Sequence, residues 1–307
     1  MRYGMQLPVQ SQSTLYSETW EADAGPEDLR EIARAADRAG FEYIACCDHI
    51  AVPHRLAAAM STVWYDPVAT LAFLAAATGR VRLLTHVAVV GLRHPLLSAK
   101  QYATLDHLSG GRLILGVGAG HVAEEFEALG VDFRRRGAVL DECVDALRAA
   151  LGPEEYPEHH GKLYDFAGLG QRPRPAQPRV PLWVGGSSPA AVRRAALKGD
   201  GWLPQGDPRE RLPAQLERIR DLRRREKLDG PFTVGAIAEP LYVGAPAWDV
   251  GRRTLTGGPH ELAESLRAYR AMGVDQIQVR FRSRSRAEAV DQIAAFGAEV
   301  GPLLTEE

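Results

Sequence analysis

Short runs of consecutive apolar residues alternate along the chain with longer segments whose apolar positions recur every three or four residues, a beat of strand followed by helix. RYGMQLP predicts a first strand, and PEDLREIARAADRAG after it carries Leu29, Ile32, Ala33 and Ala36 on one helical face and stops at Gly40. EYIACC predicts a second strand, followed by a helix over roughly Pro67 to Thr78; VRLLTHVAVV predicts the longest strand, with a helix opening near Pro95. Proline suits these first turns because the amide hydrogen it lacks has no helical partner there. The segment SGGR, Ser109 to Arg112, follows a helix and precedes the strand LILGVG, so its glycines read as a helix stop rather than a phosphate cradle. Past Gly118, Ala119 and Gly120, the positions Leu140, Cys143, Val144, Leu147 and Leu151 form one buried helical stripe.

From Gly152 to Pro178 the chain is rich in Pro, Gly, His and aromatic residues, which predicts an inserted loop with a small hairpin, a candidate lid. The alternation resumes with PLWVGG, a helix after Ser188, the strand GWLP, a charged helix from Pro208 to Leu228 and the strand FTVGAIAEPLYV. A second insertion covers about 244–258, and a helix around Leu262, Leu266 and Tyr269, the strand DQIQVRF and a helix with Val290, Ile293 and Val300 complete the chain. Eight such pairs, joined by right-handed crossovers, close naturally into a (β/α)8 TIM barrel, an α/β fold. The expected organisation is a single domain over 1–307 with inserted loops at its C-terminal face. A doubly wound open sheet would carry a glycine fingerprint after its first strand, and MQLPVQSQS has none.

Composition narrows the function classes. With 45% apolar and 25% charged residues in 307, the chain is an ordinary globular one rather than disordered or fibrous. Its 37 basic and 39 acidic residues leave a formal net charge of -2, so no field attracts nucleic acid or an anionic bilayer. Cys46, Cys47 and Cys143 make neither a CxxC pair nor a disulfide framework, and no window approaches the ~18 uninterrupted apolar residues of a membrane span. MRYGMQLPVQ lacks the regions of a signal peptide, so the expected location is the cytoplasm.

In barrels of this kind chemistry gathers at the C-terminal ends of the strands. There the sequence places Asp48 and His49, His86, His121, the turn Gly185, Gly186, Ser187 and Ser188, and alternate Gln276, Gln278 and Arg280. Asp48 and His49, as neighbours, are expected to point to opposite sides of their strand. His49, His86 and His121 suit a metal ion by residue type but not by spacing. VGGSSP, with Ser188 as N-cap and Pro189 at the first helical position, reads either as an ordinary capped helix or as a phosphate site built from free amides.

Taken together, FEYIACCDHI, RLLTHVAVVGLRHPLLSAKQYATLDHLSGGRLILGVGAGHVAEEFEALG, HHGKLYDF and PLWVGGSSPAAVRRAALKGDGWLP resemble the luciferase-like monooxygenase superfamily, in particular its branch dependent on coenzyme F420, an 8-hydroxy-5-deazaflavin. The match runs in order from the first strand to the last. The resemblance implies a flavin-like ring at the barrel mouth, with Asp48 in contact with it and His49 beside its reactive carbon. It implies a cis peptide at His86–Val87 behind the ring, close approach by Ala119 and Gly120, and a phosphate loop at Gly185, Gly186, Ser187 and Ser188. His121 stands where sugar-phosphate dehydrogenases of the family carry a catalytic Glu. An imidazole there still exchanges protons near neutral pH, so His49 and His121 are the candidate catalytic residues.

Other departures bear on the substrate. The sugar-phosphate members carry a Trp and a Lys at about the positions of Pro53 and Pro208, which argues against a sugar phosphate. Arg280 and Arg282 either meet an anionic group or belong to a solvated edge. The expected protein is an F420-dependent oxidoreductase moving a hydride to or from a small organic substrate, without metal and as a homodimer. One alternative keeps the fold and takes reduced FMN and dioxygen, and a second, from another class, is a metal-dependent hydrolase using the three histidines.

Overall fold

The sheet closes on itself because its eight strands each pair in parallel with two neighbours. A computed structural model describes residues 1–14, 16–205 and 208–305. The barrel strands, in chain order, are β1 (Arg2–Gln6), β2 (Tyr43–Cys46), β3 (Arg82–Thr85), β4 (Leu113–Val117), β5 (Leu182–Gly185), β6 (Gly201–Leu203), β7 (Thr233–Ile237) and β8 (Gln276–Val279). Met5 closes the ring, lying opposite Ile44 of β2 on one side and Val279 of β8 on the other. The helices that follow the strands cover the outside, so both faces of the strands are buried and nearly every strand residue is apolar.

Alternation divides each strand between two cores. Tyr43, Ala45, Leu84, Ile114, Trp183 and Leu203 fill the cylinder, with the Tyr43 and Trp183 rings edge to face at 5.7 Å. Ile44, Leu83, Leu115, Val184 and Ile277 point outward into the larger core beneath the helices. Gly4 gives Tyr43 its room, since a β-carbon there would lie 2.4 Å from the phenol ring.

Two sequence expectations change. VRLLTHVAVV is not the longest strand: β3 ends at Thr85, the His86–Val87 peptide is cis as the resemblance implied, and Val90–Leu92 forms a short 3-10 turn. Pairing with the β4 side nevertheless continues, because Ala88 N–H donates to Gly116 O and Gly118 N–H to Ala88 O. FTVGAIAEPLYV divides into β7 and a separate strand Leu241–Val243, which pairs with Leu255–Gly257 beside the second insertion. That insertion follows a barrel strand and so stands at the C-terminal face.

The insertion 152–178 enters from the other end. It leaves helix Arg136–Ala150 and leads into β5, so both its ends lie at the opposite face of the barrel. Its hairpin, His159–His160 with Asp165–Phe166, is held on the outer side of that helix, where Glu142 Oε1 accepts from the N–H of Tyr164 at 2.7 Å. Gln171 Nε2 ties the return leg to Leu96 O. The hairpin exists, and the Tyr164 ring meets His94 at 5.4 Å beside the mouth-side start of helix Pro95–Leu108, so the insertion climbs the outside of the barrel from its far end. The segments after β1 and β2 also rim the mouth, pairing through Ser11 with Trp64 and through Tyr65 N–H to Gln10 O.

Candidate active site

β2 leads to Asp48 and His49 at the mouth, and the two side chains take different partners. Asp48 is buried and both its oxygens are engaged: Oδ2 accepts from Val89 N–H at 2.9 Å and from Arg93 Nη1 at 2.7 Å, while Oδ1 accepts from Arg93 Nη2 at 3.0 Å. Its carboxylate thus anchors the segment that follows the cis peptide.

His49 turns toward the β4 exit. Its Nδ1 lies 3.2 Å from Oε2 of Glu125, and the second oxygen of Glu125 accepts the N–H groups of Ile50 and, at 3.1 Å, Ala51. Burial pushes the Glu125 carboxyl upward, yet these hydrogen bonds outweigh it and leave its pKa below the usual value. The His49 ring stands edge to face with Trp64, centroids 4.5 Å apart, and with His121 at 5.3 Å. Because an ionised carboxylate only accepts, Nδ1 carries the imidazole hydrogen. Nε2 has no hydrogen-bond partner among the described residues. His121 has its pKa lowered, first by burial and next by His49, which favours the neutral ring.

His86 enters the cylinder itself. It is buried, its Nδ1 is 3.1 Å from Gln6 Oε1, and Gln205 Nε2 approaches its Nε2 at 3.2 Å. Gln278 joins the same layer, its Oε1 accepting from the Tyr43 hydroxyl. Burial pulls the His86 pKa down to about 4, so this histidine is neutral at ordinary pH and packs a polar layer beneath the mouth. His86 thus has partners of its own, apart from the contacting rings of His49 and His121, and among the described residues no group of three His, Cys, Asp or Glu side chains is placed to hold a metal ion.

Val87, the second residue of the cis pair, leans over two strand ends. A β-carbon on Gly118 or Gly185 would come within 2.4 and 2.5 Å of its methyl groups, so both positions keep bare backbone. Ala119 follows in the same turn, and Gly120, at φ +73°, passes under Phe126 and Val89 where a β-carbon would clash with both. The β5 turn is as tightly drawn: Gly186 takes φ +97° and accepts from Trp202 Nε1 at 2.8 Å, and the Ser187 hydroxyl donates to Gln205 O at 3.1 Å. Ser188 caps helix Pro189–Lys198 by accepting from Ala191 N–H. The N–H groups of Ser187 and Ser188 have no partner among the described residues and precede the positive end of this ten-residue helix.

The arginines of β8 separate. Arg282 pairs with Glu18 at 3.0 Å, whereas Arg280 faces the Tyr16 ring at 5.4 Å. Reading strand ends did not single out Glu125 or Trp64, because neither lies on one. Glu125 sits in the short helix Ala123–Ala128, and the available signal was an acidic pair in the first turn after the glycine-rich β4 exit.

Residues 1–247 match the family model described as luciferase-like monooxygenase. An uncharacterized protein of Mycobacterium tuberculosis is 34% identical, the match covering 67% of this chain and 75% of that protein. An FMNH(2)-dependent dimethylsulfone monooxygenase of Pseudomonas putida is 29% identical over 94% of this chain and 89% of its own. Among solved structures, an F420-dependent secondary alcohol dehydrogenase in complex with an F420-acetone adduct shares the fold, with a TM-score of 0.79, 16% identity and 99% of each chain covered. With a closed parallel barrel, a cis peptide after β3 and a glycine-lined mouth already in place, the match settles the lineage: this chain belongs to the luciferase-like monooxygenase family.

Proposed function

We propose that the protein is an oxidoreductase that binds coenzyme F420 at the barrel mouth and passes a hydride between it and a small organic substrate. The observation that carries this reading is the Nε2 of His49, without a hydrogen-bond partner among the described residues, at a mouth where Val87 covers the glycine ends of β4 and β5. The residues present fit such a group: Gly118 and Gly185 let Val87 lie across the ends of β4 and β5 as an apolar wall, and the amides of Ser187 and Ser188, unpartnered among the described residues, suit a phosphate. When bound, the deazaflavin supplies the carbon that gives or takes the hydride.

The protein's share is position and proton. In the oxidising direction Nε2 of His49 accepts the proton of a substrate hydroxyl as the hydride leaves the adjoining carbon; in the reducing direction it returns that proton to the carbonyl oxygen. His121, one ring away, passes the proton to solvent. Trp64 closes the opposite side of His49 and shapes the substrate space. The same reading takes the working form to be a homodimer; for the cellular location, no helix among the described residues is long and apolar enough to cross a membrane.

A second reading, reduced FMN with dioxygen, is favoured by the 29% identity to the dimethylsulfone monooxygenase over nearly the whole chain. Titration of the purified protein with F420 and with FMN separates the two. Tight F420 binding, with loss of deazaflavin absorbance when a panel of secondary alcohols is added, supports the first. Tighter FMN binding, with oxygen uptake during turnover, replaces it with the second.

A further inference from the structure

We propose that Glu125 is the positioning residue of this site: its carboxylate holds the Nδ1 hydrogen of His49, selects one tautomer and one ring orientation, and thereby makes Nε2 the atom that exchanges protons with substrate. The inference deepens the reading of His49 given above and rests on it.

Geometry carries it. One Glu125 oxygen is 3.2 Å from Nδ1, and the other takes the backbone N–H groups of Ile50 and Ala51, the two residues that follow His49 in the chain. The same carboxylate therefore grips the ring and the turn that carries the ring, so the imidazole cannot rotate away without breaking contacts at both places. Both side chains are shielded, Glu125 at 2% and His49 at 9% exposure, which strengthens a charge-assisted hydrogen bond relative to one in water. Trp64 and His121 stand edge to face against the ring and oppose a flip. With Nδ1 committed, the only ring nitrogen left to accept a proton is Nε2. Glu125 meets no substrate in this scheme and acts through His49.

A simpler role would be to brace the turn, leaving the contact with Nδ1 incidental. Glu125→Gln separates the two. Its single amide oxygen is claimed by the Ile50 and Ala51 N–H groups, so its NH2 faces Nδ1, which must then accept, and the ring hydrogen moves to Nε2. The measurement is long-range proton–nitrogen NMR of imidazole-labelled protein without cofactor, with the His49 signals assigned by their loss in His49→Ala.

The expected result is an Nδ1–H tautomer in the native protein, loss of that species in Glu125→Gln with the fold kept by circular dichroism, and its return in Glu125→Asp. In turnover assays Glu125→Gln is expected to lower kcat about 10²-fold, the low end of what proton-transferring groups contribute, with KM little changed. An unchanged Nδ1–H population in folded Glu125→Gln overturns the proposal and leaves Glu125 as a turn brace. If Glu125→Gln does not fold, Glu125→Ala decides alone: a mixed tautomer supports the proposal and a native one overturns it. If the tautomer follows Glu125 but His49→Ala turns over like the native enzyme, the catalytic reading of His49 fails while the positional relationship stands.

Discussion

The side chain of Val87 lies across the α-carbon of Gly185, so close that a β-carbon built there would be 2.5 Å from Cγ1. The two residues come from adjacent regions of the mouth, and their contact requires glycine at the second. Gly185→Ala is therefore expected to displace Val87, to destabilise the protein by about 1–3 kcal/mol, as overpacking does, and to weaken binding of a flavin-like cofactor. Urea unfolding and cofactor titration check the two halves separately, and native values for both would show that Val87 gives way freely.

Asp48 and Arg93 form a shielded bidentate pair, with side chains 2% and 16% exposed. Removing one partner strands the other, so Asp48→Asn is expected to cost roughly 3 kcal/mol. Arg93 retains only the solvent-exposed Asp66 at 3.6 Å. A double variant, Asp48→Asn with Arg93→Met, should lose clearly less than the sum of the two single changes. Strict additivity in denaturant unfolding would mean that the pair does not act as a unit.

His86 links stability to pH with a definite sign. Its folded pKa is lowered from 6.5 to about 4 by burial. Above 6.5 neither state carries the proton and the residue has no effect. Between 6.5 and 4 the unfolded chain binds a proton that the folded chain does not, so stability drops as the pH is lowered, by about 3 kcal/mol in all, and levels off below. His86→Gln should remove that part of the pH dependence, read as the difference between native and variant unfolding curves at pH 7 and 4.5. Parallel curves would show that His86 is protonated in place.

Ser188 caps a helix whose open amides are assigned to a phosphate. Ser188→Ala should lower stability by about 1 kcal/mol and weaken a phosphate-bearing cofactor severalfold. Thermal melts without and with cofactor measure both, and a loss confined to the free protein would mean that the cap does not shape the binding loop.

The barrel could be read from the chain because its periodicity is local. Parallel strands buried on both faces must be apolar throughout, and helices covering them must repeat every three or four residues, so the eight pairs stand out without any knowledge of contacts. Where the chain departs from that rhythm the reading weakened. VRLLTHVAVV is apolar past Thr85, where the regular strand ends, since hydrophobicity does not report a cis bond at His86–Val87. The segment 152–178 reads as an insertion, but composition does not say that a loop entering and leaving at one end of the barrel packs along its outside as far as His94. The site divides the same way: His49, Asp48, His86 and the Gly185–Ser188 turn were found because strand ends are where such barrels keep polar groups, and one family resemblance ordered them.

The order of elements, the barrel and the set of polar strand ends were determined by the sequence itself, because they follow from spacing between neighbours. Which groups face each other was decided only in three dimensions. Glu125 is 76 residues from His49 and Trp64 comes from another loop, yet both close on the same ring. Asp48, one bond along the chain from His49, is drawn instead to Arg93 and Val89. Hydrogen bonds are short-range and directional, so partners are chosen by where the backbone turns, and that turn exists only once the barrel has closed.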